Sequence, residues 1–304
     1  MKNMRIPLII CWGVAVLGVI LGSFFDLNIS QAIASADNGF ALTVSAIGPT
    51  LGFAGIAFVG GGFIALAIKG QYHIALKVLF YVVAAACFGV SIYYSSGEYF
   101  GVNGFYGAAP EWVGYFIVFL PMAGAEFLGY WLFRDCKNKN MWIVFLVTLA
   151  VLGVGLAALI PILKDVMHRP RYRFLAVSDM NLFHNWWEPC KNYKELIEQY
   201  NSHKDNFKSF PSGHTTEASI LLVVPTFLPL AHEKFKKVQM PMFYCGCGVV
   251  VLVAFARILA AAHFLSDVSM GATITITALF IANEVVMRIK ALQLKEDAPV
   301  EEAK

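Results

Sequence analysis

The sequence predicts an all-α fold, a polytopic bundle of about eight transmembrane helices, and three observations carry that prediction. Of 304 residues, 58% are hydrophobic and only 14% charged, more apolar surface than one soluble core can hide. The apolar residues gather into runs of bilayer length. The cations then fall mainly on one side of those runs.

The runs are 6–25, 47–69, 74–96, 112–133, 141–163, 215–231, 241–263 and 267–287, each able as a helix to cross a hydrocarbon core of about 30 Å. The first follows Lys2 and Arg5 and precedes Ala34-Ser35-Ala36, a signal-peptide pattern. Its apolar stretch is too long and too far from that cleavage site, so an uncleaved helix is expected. The second contains Gly60-Gly61-Gly62, small residues that let helices approach closely. The fourth carries Glu126 mid-helix, suited to an interhelical contact or to a cavity wall. The sixth is short and holds Pro225 and Pro229, so a bent helix is expected there. The tail is 288–304, and its stretch from Gln293 to Lys304 is charged and poor in large apolar residues, which predicts a disordered cytoplasmic end.

With the amino terminus inside, Lys2, Arg5, Lys69, Lys77, Arg134, Lys137, Lys139, Lys234, Lys236, Lys237, Arg288, Lys290, Lys295 and Lys304 are cytoplasmic. The early outside loops, about 26–46 and 97–111, contain no Lys or Arg. The 164–210 loop emerges outside against the bias, carrying Lys164, Arg169, Arg171, Arg173, Lys191, Lys194, Lys204 and Lys208. An anionic ligand would account for them. No polar stretch is long enough to fold alone, so 1–287 reads as one membrane domain. The six cysteines form no disulfide framework or metal motif and read as structural.

Three strings on the outside face carry chemistry. Pro211-Ser212-Gly213-His214 opens the sixth run, where unpaired helix N–H groups and the dipole favour an anion, with Ser212 as hydroxyl donor or ordinary cap. Glu217 reads as a favourable first-turn acid. Arg257, His263 and Asp267 close the seventh run; on a continuous helix they lie at roughly 0°, 240° and 280°. Asp267 is then expected to accept one imidazole proton of His263, leaving the other nitrogen to attack. Lys164 and Arg171 are about two turns apart, though Pro170 interrupts helical continuity, and Arg169 and Arg173 lie beside them. His168 reads as a neighbour. Trp186, Trp187, Phe174, Phe183, Tyr193 and Phe207 make the loop aromatic, suited to packing, interfacial anchoring or a lid.

These blocks, Lys164-x6-Arg171, Pro211-Ser212-Gly213-His214 and Arg257-x5-His263-x3-Asp267, resemble the signature of the type 2 phosphatidic acid phosphatase (PAP2) superfamily of integral membrane lipid phosphatases. The pattern departs at Tyr172, where the family has Pro, and at Ala256, where it has Ser; Arg169-Pro170 leaves Arg169 as the alternative to Arg171. The resemblance spans 164–267 and implies a six-helix core with two additional helices. It implies that His263 attacks phosphorus to form a phosphohistidine while Asp267 orients it. His214 would protonate the leaving oxygen and then activate water. Lys164, Arg171, Ser212, Gly213 and Arg257 would hold the phosphate, with no metal and no cofactor.

The expected activity is hydrolysis of a lipid phosphate or pyrophosphate: an undecaprenyl pyrophosphate-like lipid, phosphatidic acid, phosphatidylglycerol phosphate or lipid A. The expected place is the plasma (bacterial inner) membrane, with the site on the periplasmic or extracellular face. The expected partners are the lipid substrate and membrane lipids, with no nucleic acid and no obligatory protein. The rivals are a phosphotransferase, which would release a phosphorylated acceptor instead of phosphate, and an anionic-lipid transporter, which would keep working without His263.

Overall fold

A computed structural model describes residues 4–97, 111–136, 138 and 140–289. Lys2, Lys137, Lys139, Lys290, Lys295, Lys304, most of the 97–111 loop and the tail from 290 lie outside the described residues. The long helices are α1 (Arg5–Ile33), α2 (Gly39–Lys69), α3 (Ile74–Ser96), α4 (Glu111–Phe133) and α5 (Met141–Gly153). A π-helical turn (Val154–Leu159) joins α5 to α6 (Ile160–Met167), and α7 (Tyr172–Leu175) and α8 (Tyr193–Gln199) sit in the 164–210 loop. After α9 (Gly213–Ser219) and α10 (Val223–Phe227) come α11 (Gln239–Leu259) and α12 (Leu265–Arg288). Among the described residues, seven helices, with 141–175 counted as one, are long and apolar enough to span a bilayer. On the outer faces of α1, α3 and α4, Val14, Phe24, Val82, Phe116 and Leu120 are exposed, which only lipid makes tenable. The chain is a multi-pass membrane protein.

The predicted eighth span, 215–231, is present but broken. It runs as α9, a 3-10 turn (Ile220–Leu222), α10 and a second 3-10 turn (Leu228–Leu230), so seven continuous spans replace the predicted eight. Pro229 has no N–H to offer the carbonyl of Pro225 four residues back. Gln239 of α11 donates its side-chain amide to that carbonyl at 3.1 Å and to the Thr226 carbonyl at 3.4 Å. That repair is what lets a broken segment lie buried inside the bundle.

Helix α2 is the buried centre. Its glycines are contact points: a Cβ on Gly61 would overlap the Glu126 carbonyl of α4, and one on Gly52 the Glu217 carbonyl of α9. From α12, a Cβ on Gly271 would lie 2.9 Å from Thr216 Oγ1. Thr275 Oγ1 donates to the Thr216 carbonyl at 3.0 Å. Together, α2 and α12 clamp α9 and fix the Pro-Ser-Gly-His string.

Helices α1 and α2 run further than predicted, leaving only residues 34–38 between them. Polar residues such as Asp26 and Ser30 can continue α1 because they are buried in protein rather than exposed to lipid. The 164–210 loop builds a small core from Phe174, Leu175, Cys190, Leu196 and Phe207, closed by Phe264 at the head of α12. Trp186 stacks on Phe210 and donates its indole N–H to Ser23 Oγ at 2.9 Å. Of the aromatic set, Phe174 and Phe207 are core, while Trp187 is exposed. All six cysteines are free thiols.

Candidate active site

The chain does not continue as a helix from Arg257 to Asp267. Helix α11 ends at Leu259, Ala261 takes a left-handed φ of 55°, and Asp267 sits in the first turn of α12. The amides of Ala262 and His263 both donate to the Arg257 carbonyl at 3.2 Å, folding His263 back beside Arg257. A turn, not a helix face, brings these residues together.

His263 is 1% exposed. Its Nδ1 lies 2.6 Å from the Ser209 carbonyl and 3.7 Å from Asp267 Oδ2. A carbonyl only accepts, so Nδ1 carries the proton and Nε2 keeps its lone pair. The predicted partner was Asp267 alone; the direct acceptor is Ser209, and Asp267 supplies charge from just beyond hydrogen-bond range. Burial, with Arg171 and Arg257 nearby, drives the imidazole well below its ordinary pKa, against the pull of Asp267. His263 is therefore a neutral imidazole at physiological pH.

Asp267 is held from several sides. Its Oδ2 accepts from the Phe264 amide at 2.8 Å, the return half of a capping box, and from Ser209 Oγ at 2.5 Å. Its Oδ1 accepts from Arg169 Nη1 at 2.6 Å.

Arg169 and Arg171 are two residues apart and do different work. After α6, His168 turns left-handed at φ 44° and its ring stacks on Tyr193. Arg169 then points inward, 0% exposed, bonded to Asp26, Asp267, Ser266 and the His184 carbonyl. Arg171 gives Nε to the Asp205 carbonyl at 2.8 Å, but its buried Nη1 has no hydrogen-bond partner among the described residues. The charges of Arg173 and Arg257 lie close by. A buried guanidinium donor without an acceptor among the described residues is suited to an oxyanion.

Ser212 caps α9: its Oγ accepts from the Thr215 amide at 3.4 Å and from Thr215 Oγ1 at 3.2 Å. The Ser212 amide donates to the Asp267 carbonyl at 3.0 Å, stitching the heads of α9 and α12 together. A Cβ on Gly213 would meet Lys164 Nζ at 3.4 Å and Glu217 Oε1 at 3.5 Å, so the lysine head lies over the start of α9. His214 is half-buried in the first turn of that helix. Lys164, Gly213, Arg171, Arg257, His263 and Asp267 thus come from one end of the bundle. Glu126 lies elsewhere, in the α2–α4 seam.

Sequence reading did not single out Asp26, Ser209 or Ser266. Asp26 carries a signal, an acid within an apolar helix, that could have flagged it. Among the described residues, no three His, Cys, Asp or Glu side chains gather as a metal-binding set.

Residues 141–290 match the model of the PAP2 superfamily. Phosphatidylglycerophosphatase B of Bacillus subtilis (strain 168) is 31% identical over 112 residues, covering 34% of this chain and 55% of that protein. The chain thus spans about half the length of the curated relative it matches. No solved structure matches. All three motif blocks fall within the matched segment, and it is through this segment that the chain is similar to the PAP2 superfamily.

Proposed function

We propose that the chain is a metal-independent lipid phosphatase that works through a phosphohistidine on His263. The observation that carries the reading is the buried His263 with its Nδ1 at 2.6 Å from the Ser209 carbonyl, which leaves Nε2 its lone pair, beside the charges of Arg171 and Arg257. Nε2 attacks phosphorus and forms an N–P bond as the bond to the leaving oxygen breaks; that oxygen takes a proton from His214. His214 next removes a proton from water, the water oxygen bonds to phosphorus, and the N–P bond breaks. Arg171 Nη1, Arg257, Lys164 and the amides at the head of α9, with Gly213 allowing close approach, hold the oxygens whose charge grows in the transition state. Ser212 keeps that helix start in shape.

An amphiphilic substrate fits the surroundings. An apolar cavity of about 380 Å³ lies between α2, α3 and α5, walled by Phe53, Cys87, Tyr94, Leu152 and Leu156. Glu217, one turn from His214, stands at its edge. A lipid tail in the cavity would leave its phosphate at the cations. Phosphatidylglycerol phosphate, phosphatidic acid and an undecaprenyl pyrophosphate-like lipid all meet this description. The cation placement supports a site on the extracytoplasmic face of the plasma membrane, with 1–287 as one catalytic domain and 288–304 as a cytoplasmic tail.

The test is phosphate release from these three lipids by the detergent-purified protein in EDTA, beside His263→Ala. Release that disappears in the variant supports the reading. Transfer of phosphate to an acceptor, lipid movement that survives in the variant, or dependence on added metal would overturn it.

A further inference from the structure

We propose that Asp26, on the first helix and outside the PAP2-matched segment, is a positioning residue for this reaction, acting through Arg169 on Asp267. The inference rests on the phosphatase reading above.

Gly18, Gly22 and Asp26 are spaced by four and share one face of α1. A Cβ on Gly22 would come within 2.6 Å of the Ser266 amide and 2.8 Å of its Cβ, and one on Gly18 would overlap the Ser269 hydroxyl. Without those Cβ atoms α1 lies directly against α12, and Asp26 reaches the first turn of α12. There its Oδ1 accepts from the Ser266 amide at 2.9 Å, a helix cap supplied by another helix, and its Oδ2 accepts from the Ser266 hydroxyl. The same Oδ2 pairs with Arg169 Nη2 at 2.9 Å, while Arg169 Nη1 holds Asp267 at 2.6 Å. Phe264 and Phe183 lie 4.3 and 5.3 Å from the guanidinium carbon. All three charged side chains are buried, at 0% and 1% exposure.

The charge count gives this chain of contacts a chemical role. One guanidinium serves two carboxylates, so the cluster keeps one net negative charge, with Asp267 its member beside His263. Without the charge on Asp26, Arg169 would neutralise Asp267 alone. The carboxylate would then stabilise the positive imidazole ring less as the N–P bond forms. Lys164, Arg171 and Arg257 are not part of this cluster, so ground-state phosphate binding stays as it is.

The full chain in detergent and EDTA is assayed, on whichever of the three lipids named above it hydrolyses fastest, as wild type, Asp26→Asn, Asp267→Asn, the double variant and Asp26→Glu. Asn keeps the shape of Asp and removes the charge. Asp26→Asn should lower kcat roughly 10- to 100-fold with KM within about twofold of wild type, and Asp26→Glu should recover part of the loss. In the Asp267→Asn background the same change should cost no more than about threefold, since Asp26 acts through Asp267. A wild-type kcat in Asp26→Asn, or losses that simply multiply in the double variant, would overturn the inference alone. An inactive wild type would overturn the phosphatase reading and this inference with it. Should Asp26→Asn fail to fold, Ser266→Ala, which keeps every charge and loosens the same carboxylate, should lower kcat about fivefold at unchanged KM; an unchanged kcat would overturn the inference.

Discussion

Helices α1 and α12 meet through charge at both ends, and the two ends differ. At one, Arg5 pairs with Glu284 at 2.5 Å with the arginine side chain 51% exposed. At the other, Asp26, Arg169 and Asp267 form a chain with almost no exposure. An exposed ion pair contributes little, because each charge keeps its solvation when the pair breaks. A buried chain holds charges that have no alternative partner, so removing one member strands the rest. Residue types alone do not separate the two; burial and the number of partners do. The buried end is the one that carries His263.

The comparison can be broken most severely at His263. His263→Ala should lower turnover by on the order of 10³-fold or more without loss of folded protein, measured by phosphate release and thermal unfolding in detergent. Arg169→Met leaves Asp26 and Asp267 sharing a dry site with no cation and should cost about 3–5 kcal/mol of stability, read as poor recovery and a lowered Tm. Arg171→Met should do the reverse. It removes a guanidinium with an unsatisfied donor, so Tm should hold while kcat/KM falls roughly 100-fold. Equal Tm losses for Arg169→Met and Arg171→Met would erase the distinction between the two arginines.

Acidity sharpens the same contrast. A histidine whose folded pKa lies below its unfolded value binds fewer protons when folded, so stability at His263 is intact above about pH 6.5 and declines as the pH falls below it. Down to its lowered folded pKa, however, the imidazole stays neutral. Tm measured between pH 5 and 7 should accordingly fall less steeply with falling pH in His263→Gln than in wild type. At the opposite end of α1, Arg5→Gln should leave turnover and Tm within experimental scatter of wild type.

The membrane class and most helix boundaries were legible because bilayer length imposes a long, uniform apolar signal. Even the weak sixth run was marked by its prolines, though Gln239, the residue that repairs it, sits in another helix and gave no local sign. At the site, residue types and spacing pointed to His263, Asp267, His214 and the cations. The path between Arg257 and Asp267 was misread as a helix, since nothing in the alanine-rich stretch around Ala261 announces a left-handed turn. Nor could spacing distinguish Arg169 from Arg171: which arginine meets two acids depends on Asp26, 143 positions away in the chain. Ser209 was invisible for a plainer reason, because it meets His263 through its backbone carbonyl, which every residue has.

The most direct test is to mix the protein in EDTA with a lipid carrying radiolabelled phosphate, quench in alkali, and map the label. The account predicts an alkali-stable, acid-labile phosphoenzyme on the peptide that contains His263, accumulating further in His214→Ala because water is no longer activated. Phosphate released with no label ever trapped on His263, in wild type or in His214→Ala, would contradict it.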